Sequence, residues 1–299
     1  MLALLLAGCS VSGSQFTSGS GKLKVTATTG MIADAVQHVG GAHVEVIGLM
    51  KAGVDPHLYK ATSGDTKRLD QADIIFYNGL HLEGKMIDML EKLAKKKPTV
   101  AVSRQLDQAR LLKGDPETET EFDPHIWFDV HIWMSAVETI RDELVKLDAG
   151  NSEAYRTNAA AYLKQLEELD AYAKSQIGSI PQQSRVLVTA HDAFNYFGRA
   201  YNIEVTGLQG ISTASEAGVK DVSKLRDFLI ERQIKAVFVE SSVPQKTVQS
   251  VIQGAKEKGH SISLGGELFS DAMGESGTPE GTYIGMVRHN VDTIVKALK

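Results

Sequence analysis

The chain has 299 residues, 42% of them hydrophobic and 23% charged, with a formal net charge of −5. This length suggests about two domains of ~150 residues each, and the composition is that of an ordinary globular protein. The acidic balance and the lack of a lysine- and arginine-rich tract argue against a nucleic-acid-binding protein, because such proteins present basic patches.

The first residues resemble the end of a bacterial secretory signal. Residues 1–7 (MLALLLA) form an apolar run far shorter than the ~20 residues that span a bilayer. Residues 6–9 (LAGC) resemble a lipobox, so we expect a lipid on Cys9 that anchors the protein outside the cytoplasm, at the cell surface or in the periplasm. Residues 10–21 (SVSGSQFTSGSG) then form a flexible tether. The alternative is a buried thiol at Cys9, which as the only cysteine cannot form an intrachain disulfide.

The residues after the tether alternate between strand-like and helix-like patterns. We predict strands at 23–28, 43–49, 73–77 and 99–102, and helices at 32–39, 62–69, 86–96 and 130–147. Thr62 and Asp65 have the spacing of a capping box, and Asp129 can cap the helix that follows it. Such alternation is typical of parallel βαβ units.

A long stretch without glycine or proline covers residues 151–177 and is rich in strong helix formers. A helix of about 26 residues is ~39 Å long, so we predict a strut that joins two lobes. The strand–helix rhythm then resumes. We predict strands at 185–190, 204–208, 236–240 and 261–264, and helices at 193–201, 219–233, 248–258 and 282–298.

The predicted fold is therefore α/β, with two βα lobes that contain parallel sheets and are joined by a single long helix. We divide the chain into four parts: a signal remnant and tether at 1–22, an N-terminal lobe at 23–150, the strut at 151–180, and a C-terminal lobe at 181–299.

The tripeptide Asp-Pro-His occurs twice, at residues 55–57 and 123–125. Proline fixes its own φ and restricts the residue before it, so His57 and His125 start from a stiff backbone, as a metal ligand requires. We expect Asp55 and Asp123 to act as caps or to accept the second N–H of a metal-bound imidazole, rather than to bind metal themselves.

A third histidine, His191, directly follows the predicted strand 185–190. It shares with His57 and His125 a position after a strand or loop and before a helix, and ligands of open α/β sheets bind at the carboxyl ends of the strands. One histidine of this kind is more often packed at the edge of a lobe, but three placed alike predict a metal site. His81, which precedes Glu83, could also reach it. We assign the remaining histidines to surface or structural positions: His38, His43, His131, His260 and His289.

A fourth ligand should be an oxygen or nitrogen donor, because the chain has no second cysteine. Three carboxylates lie after predicted C-terminal strands: Glu240 ends one, and Glu267 and Asp271 follow the last one through a glycine-rich loop. The residues alone do not separate these three.

Ordered motifs over residues 23–299 resemble the cluster A-I, or ZnuA/TroA-like, solute-binding lipoproteins of bacterial ABC transporters for transition metals, and among them the treponemal TroA type. The motifs are VDPHLYKAT, YNGLHLEGKM, DPHIWFDV, TAHDAFNYF, GLQGISTASEAG, FVESSVP, GGELFSDAMG and EGTYIGMVRHN. The resemblance implies a metal site in the cleft between the lobes. It implies as ligands His57 and His125 from the first lobe and His191 and Asp271 from the second, and leaves Glu240 and Glu267 as candidates for supporting contacts.

The resemblance also implies a function. The protein would be a monomer, not an enzyme, that captures divalent zinc or manganese, with iron as a third option, and delivers it to an ABC permease and its ATPase. Manganese-dedicated relatives typically carry a second carboxylate in place of His191, and zinc-dedicated relatives a histidine-rich loop where residues 112–122 contain no histidine. Both zinc and manganese therefore stay open. The alternatives are a zinc-only acquisition protein, a surface adhesin active in cell adhesion, and a zinc hydrolase with Glu240 or Glu267 as its base. We expect opening to be small, or confined to loops near His191 and Asp271.

Overall fold

The computed structural model describes residues 21–114 and 120–299. Cys9 and nearly all of the predicted tether lie outside the described residues, as does the middle of the acidic loop 112–122. In the two described ranges, no helix combines the length and apolar character needed to cross a membrane.

The N-terminal lobe is built on one four-stranded parallel sheet with the order β2-β1-β3-β4. Its strands are β1 (Leu23–Ala27), β2 (Val44–Gly48), β3 (Ile74–Tyr77) and β4 (Thr99–Ala101). Its helices are α1 (Gly30–Gly40), α2 (Ser63–Gln71), α3 (Ile87–Ala94) and α4 (Val130–Leu147). Both predicted caps are confirmed: Thr62 and Asp65 form a reciprocal capping box at α2, and the Asp129 side chain accepts from Ile132 N at the start of α4.

A helix of 27 residues, α5 (Ser152–Gly178), follows the N-terminal lobe and confirms the strut predicted from the glycine-free run. Its buried apolar residues, which include Tyr155, Tyr162, Leu166 and Ile177, belong to the same hydrophobic core as residues of α1 and α4 before it and of α6 and α9 after it. The helix is therefore packed into both lobes and is not a free-standing link.

The C-terminal lobe contains two parallel strand pairs, β5–β6 and β7–β8. The strands are β5 (Val186–His191), β6 (Glu204–Gln209), β7 (Ala236–Glu240) and β8 (Ser263–Leu268). The helices are α6 (Asn195–Tyr201), α7 (Val219–Glu231), α8 (Lys246–Glu257) and α9 (Tyr283–Leu298). The α/β class with parallel sheets and one long helix is thus confirmed, whereas the lobe boundaries at 22/23, 150/151 and 180/181 stay a prediction.

The last strand differs from its prediction. Residues 265–268 were expected in a loop because of Gly265 and Gly266, but β8 continues through both glycines to Leu268. The register shifts opposite Val237 and Phe238, and Gly266 has a φ of 140°. A Cβ atom at Gly265 would lie 2.6 Å from the Phe238 ring. The glycines therefore permit a bulge and close packing within a strand instead of ending it.

Candidate metal centre

Four side chains from four separate segments converge between the lobes. His57 lies in the turn after β2, His125 precedes the short 3-10 turn that leads into α4, His191 is the last residue of β5, and Asp271 follows β8 by three residues. Each is at most 4% exposed. One ligand atom from each lies within 4.8 Å of the ligand atoms of the other three.

The spacing of these atoms fits a single small cation. His125 Nε2 lies 3.3 Å from His57 Nε2 and 3.4 Å from His191 Nε2. Asp271 Oδ1 lies 3.3 Å from His125 Nε2, and Asp271 Oδ2 lies 3.3 Å from His191 Nε2 and 3.7 Å from His57 Nε2. Ligand atoms at the corners of a tetrahedron with metal bonds of about 2.0–2.1 Å are separated by roughly 3.3–3.4 Å. The three imidazoles and the carboxylate can therefore hold one transition-metal ion with little movement.

The Asp271 carboxylate is the group of this cluster that most needs a cation beside it. Both of its oxygens are buried, and neither makes a hydrogen bond of normal geometry among the described residues, although Nε2 of His125 and of His191 each lie 3.3 Å from one of them. Burial alone would raise the pKa of Asp271, but His191, His125 and His57 hold it well below its ordinary value. A buried, charged and unbonded carboxylate is costly unless a cation neutralises it, so the donor set fits a bound metal.

The two Asp-Pro-His segments hold their histidines differently. Asp123 Oδ1 accepts hydrogen bonds from both the backbone N–H (3.0 Å) and the ring Nδ1 (2.7 Å) of His125. Burial disfavours the charged ring, but Asp123 and Asp271 outweigh it and raise the pKa of His125 to about 9. Asp55 Oδ1 accepts only the backbone N–H of His57, at 2.8 Å, and burial lowers the pKa of that imidazole to about 3. Only the second tripeptide therefore fixes the orientation of its ring.

Glu240, at the end of β7, supports His191 from the neighbouring strand. Its Oε1 accepts the backbone N–H of His191 (2.8 Å), and its Oε2 accepts from the ring Nδ1 (2.5 Å). This arrangement leaves Nε2 of His191 free to face the other ligands. Glu240 therefore supports His191 as Asp123 supports His125, and metal-bound histidines commonly have such a carboxylate on the second ring nitrogen.

The structure does not bring Glu267 to this cluster. Its side chain is exposed, and Gln245 Nε2 donates to it at 3.4 Å on the surface. Of the three carboxylates that the sequence left open, only Asp271 is in the convergent set. His81 is also exposed and lies outside that set.

Sequence reasoning missed the residues that hold the second Asp-Pro-His segment in place. Buried Glu83 accepts hydrogen bonds from Thr28 Oγ1 (2.7 Å), Asn78 N (2.7 Å) and Gly79 N (3.2 Å), which ties the end of β1 to the end of β3. Asn78 Nδ2 in turn donates to the Pro124 carbonyl at 3.0 Å. The signal lies in the motif YNGLHLEGKM, where a charged residue, Glu83, follows a buried strand.

The segment that carries Asp271 is held from both lobes. Trp127 Nε1 donates to the Ser270 carbonyl at 3.0 Å, and the Trp127 ring packs edge-on against His125. Asn290 of α9 bonds to both the backbone N–H (2.9 Å) and the carbonyl (2.7 Å) of Phe269. The carboxylate is thus presented by a stretch of chain with several fixed points.

Comparison with known proteins gives consistent matches over nearly the full length. The family model described as zinc-uptake complex component A, periplasmic, matches residues 25–297. The manganese-binding lipoprotein MntA of Bacillus subtilis is 52% identical over 98% of this chain and 95% of its own. The zinc-binding protein TroA of Treponema pallidum is 50% identical over 96% and 92%.

More distant and structural relatives agree. The iron ABC transporter substrate-binding lipoprotein MtsA of Streptococcus pyogenes serotype M1 is 33% identical over 98% of this chain and 94% of its own. The solved structure of periplasmic TroA from Treponema pallidum superposes with a TM-score of 0.90 at 50% identity, over 93% of this chain and 99% of that one. The fold and its arrangement of lobes are thus those of a known metal-binding protein.

Proposed function

Because the chain belongs to the family of zinc-uptake complex component A proteins, we propose that it is the extracytoplasmic substrate-binding component of an ABC transporter for a divalent transition metal. It captures the ion and delivers it to a membrane permease. The observation that carries this function is the convergence of His57, His125 and His191 with an unbonded, buried Asp271 carboxylate. These four residues are the proposed ligands.

The proposed cargo is zinc or manganese, with iron as a third option. Three imidazole nitrogens and one carboxylate oxygen suit tetrahedral Zn²⁺, and the hard carboxylate also suits Mn²⁺. The relatives reported above carry names for manganese, zinc and iron. By the Irving–Williams order, zinc outcompetes manganese at a given nitrogen and oxygen site, so zinc found after purification with added metal does not identify the cargo.

Capture without catalysis follows from the proposed ligand set. A catalytic zinc site keeps an open position for water beside three protein ligands, whereas four protein ligands converge here. Neither carboxylate that could act as the general base of a hydrolase is placed for that role, since Glu240 bonds to His191 and Glu267 is exposed. We further propose that a lipid on Cys9 anchors the chain, that it acts as a monomer, and that a permease with its ATPase receives the metal.

Elemental analysis of protein purified from native membranes without added metal tests this function. We expect a stoichiometric transition metal in the wild type and in Glu267→Ala, whose side chain is exposed, and its loss in Asp271→Ala, which removes the proposed oxygen ligand. Full metal content in the Asp271 variant would show that the fourth ligand is assigned wrongly. A wild-type protein without transition metal would contradict the function itself.

A further inference from the structure

The two Asp-Pro-His aspartates share a pattern that ligand positioning alone does not explain. In each, Oδ1 accepts the backbone N–H of the following histidine, at 2.8 Å in Asp55 and 3.0 Å in Asp123. In each, Oδ2 accepts a hydrogen bond from a side chain beyond α5. Thr213 Oγ1 donates to Asp55 at 2.6 Å, and Asn195 Nδ2 donates to Asp123 at 3.2 Å. Each carboxylate therefore bonds to a metal-ligand segment of one lobe and to a side chain of the other.

The donor Thr213 lies in the C-terminal lobe, on the loop between β6 and α7, and is 6% exposed. It is 158 residues from Asp55 along the chain. This contact lies beside the metal centre, because Asp55 is two residues before His57. Separation of the lobes at this place breaks the bond between Thr213 and Asp55 and moves His57 away from Asp271.

We propose that Thr213 is an interlobe latch, a positioning residue whose hydroxyl holds the cleft closed around the bound metal and sets the rate of release. Asn195 forms a second link of the same kind. This inference rests on the proposed function, since it concerns the release of the same cargo. Thr213 and Asn195 donate these hydrogen bonds to the aspartates and not to the proposed metal ligands. Both donors therefore act on the metal through the aspartates.

The two links are not equivalent, and Thr213 is the more sensitive one. Asn195 Nδ2 also bonds to the Asp192 carbonyl, and Tyr196 Oη donates to the Asp123 carbonyl at 2.9 Å, so Asp123 is held from the C-terminal lobe in two ways. Asp55 has Thr213 as its only side-chain donor among the described residues. Loss of the Thr213 hydroxyl therefore removes this link completely and leaves the hydrogen bond from Asp55 to the His57 backbone in place.

Stopped-flow transfer of Zn²⁺ from the loaded, full-length protein to a chelator measures this role. In Thr213→Val, which keeps the shape and removes the hydroxyl, we expect release to be faster by about tenfold or more, the factor typical of a lost hydrogen bond to a charged group. We expect the association rate and the melting temperature of the metal-free protein to stay near the wild-type values, because the closed, loaded state is the one affected.

Two further variants separate a latch from a general packing role. Thr213→Ser retains the hydroxyl and should restore slow release. Thr247→Val, the matched control on α8, changes a threonine whose side chain makes no described hydrogen bond and should release metal like the wild type. Release from Thr213→Val at the wild-type rate would overturn the latch, as would fast release from Thr213→Ser.

A double-variant comparison identifies the partner of the hydroxyl. In an Asp55→Ala background, Thr213→Val should cause no additional acceleration, because the acceptor is already missing. An undiminished effect in that background would overturn the proposal. If Thr213→Val folds poorly, Asn195→Ala supplies the same test at the second link. We expect this variant to release Zn²⁺ faster than the wild type, and an unchanged release rate would count against the latch. If the wild type binds no Zn²⁺, the proposed function is refuted. If the wild type binds Zn²⁺ and Thr213→Val releases it at the wild-type rate, only the latch is refuted.

Discussion

The chemistry of the proposed metal centre depends on carboxylates that hold the imidazoles. Asp123 and Glu240 each bond to the Nδ1 of a histidine and to its backbone N–H, which leaves Nε2 to face the cluster. The backbone hydrogen bond from His125 to Asp123 could be anticipated from the tripeptide, because His57 makes the same bond to Asp55, but the contact with the ring could not, because the identical tripeptide at residues 55–57 lacks it. The Glu240 contact could not, because it depends on the placement of β7 beside β5, and strand order is not encoded in any single segment.

Glu240→Gln should weaken metal binding by about 10- to 100-fold, the usual effect of removing a carboxylate behind a metal-bound histidine. The substitution keeps the shape of the side chain but removes the charge that orients and polarises His191. Competition titration with a chromophoric chelator measures the affinity. Glu267→Gln serves as the control, since that side chain is exposed, and equal losses in both variants would refute the role given to Glu240.

At the scale of single elements, helix ends and glycine-free runs proved the most predictable features. The extents of α4 and α5 agree with expectation because caps and composition define them locally. The extent of β8 does not, because Gly265 permits close packing against Phe238 and Gly266 close packing against Thr293, and neither glycine forms a turn. The sequence therefore predicts the ends of an element well where local residues define them, and less well where packing against a neighbouring strand defines them.

The capping box of α2 should make stability depend on acidity. Burial opposes ionisation of Asp65, but hydrogen bonds from Thr62, Tyr59 and Arg68 lower its pKa to about 2. A group with a lowered folded pKa stabilises the fold above its unfolded pKa of about 3.8 and loses that effect as the pH falls towards 2. We expect Asp65→Asn to unfold at lower urea concentration at pH 5, and the gap to the wild type to narrow towards pH 2. A gap independent of pH would argue against this account.

The core face of α5 should be sensitive to truncation. Leu166 is fully buried in the core shared by both lobes, so Leu166→Ala should lower the free energy of unfolding by about 2–5 kcal/mol. Lys164→Ala, on the exposed face of the same helix, should change it by about 0.5 kcal/mol or less. Urea denaturation of the metal-free protein compares the two variants. A similar loss of stability in both would show that the buried face of α5 does not stabilise the common core.

At the scale of the whole molecule, the long helix and the shared core restrict how the lobes can separate. Helices α1, α4, α6 and α9 pack against α5 in one continuous hydrophobic core, so rotation of one lobe as a unit would disrupt it. The segment of Asp271 is also fixed by Trp127 and Asn290. The loop of residues 210–218, which carries Thr213, has fewer such ties and is the part of the cleft best suited to move.

Hydrogen–deuterium exchange with and without metal tests this restriction. We expect removal of the metal to accelerate exchange in residues 210–218 and, to a smaller degree, in residues 269–276. The amides of α5 should exchange at the same rate in both states. Acceleration throughout the C-terminal lobe, including the second half of α5, would contradict an opening confined to these loops.

The proposed ligands lie far apart along the chain, with 68 residues between the positions of the first two histidines and 66 between the second and third. An unfolded chain cannot gather them, so the ion binds the folded form alone and its binding free energy adds to the stability of that form. At free metal 100 times the dissociation constant, the addition is about 2.7 kcal/mol. The supply of metal thus sets the stability of its own carrier, and we expect a protease to degrade the metal-free protein faster than the loaded one.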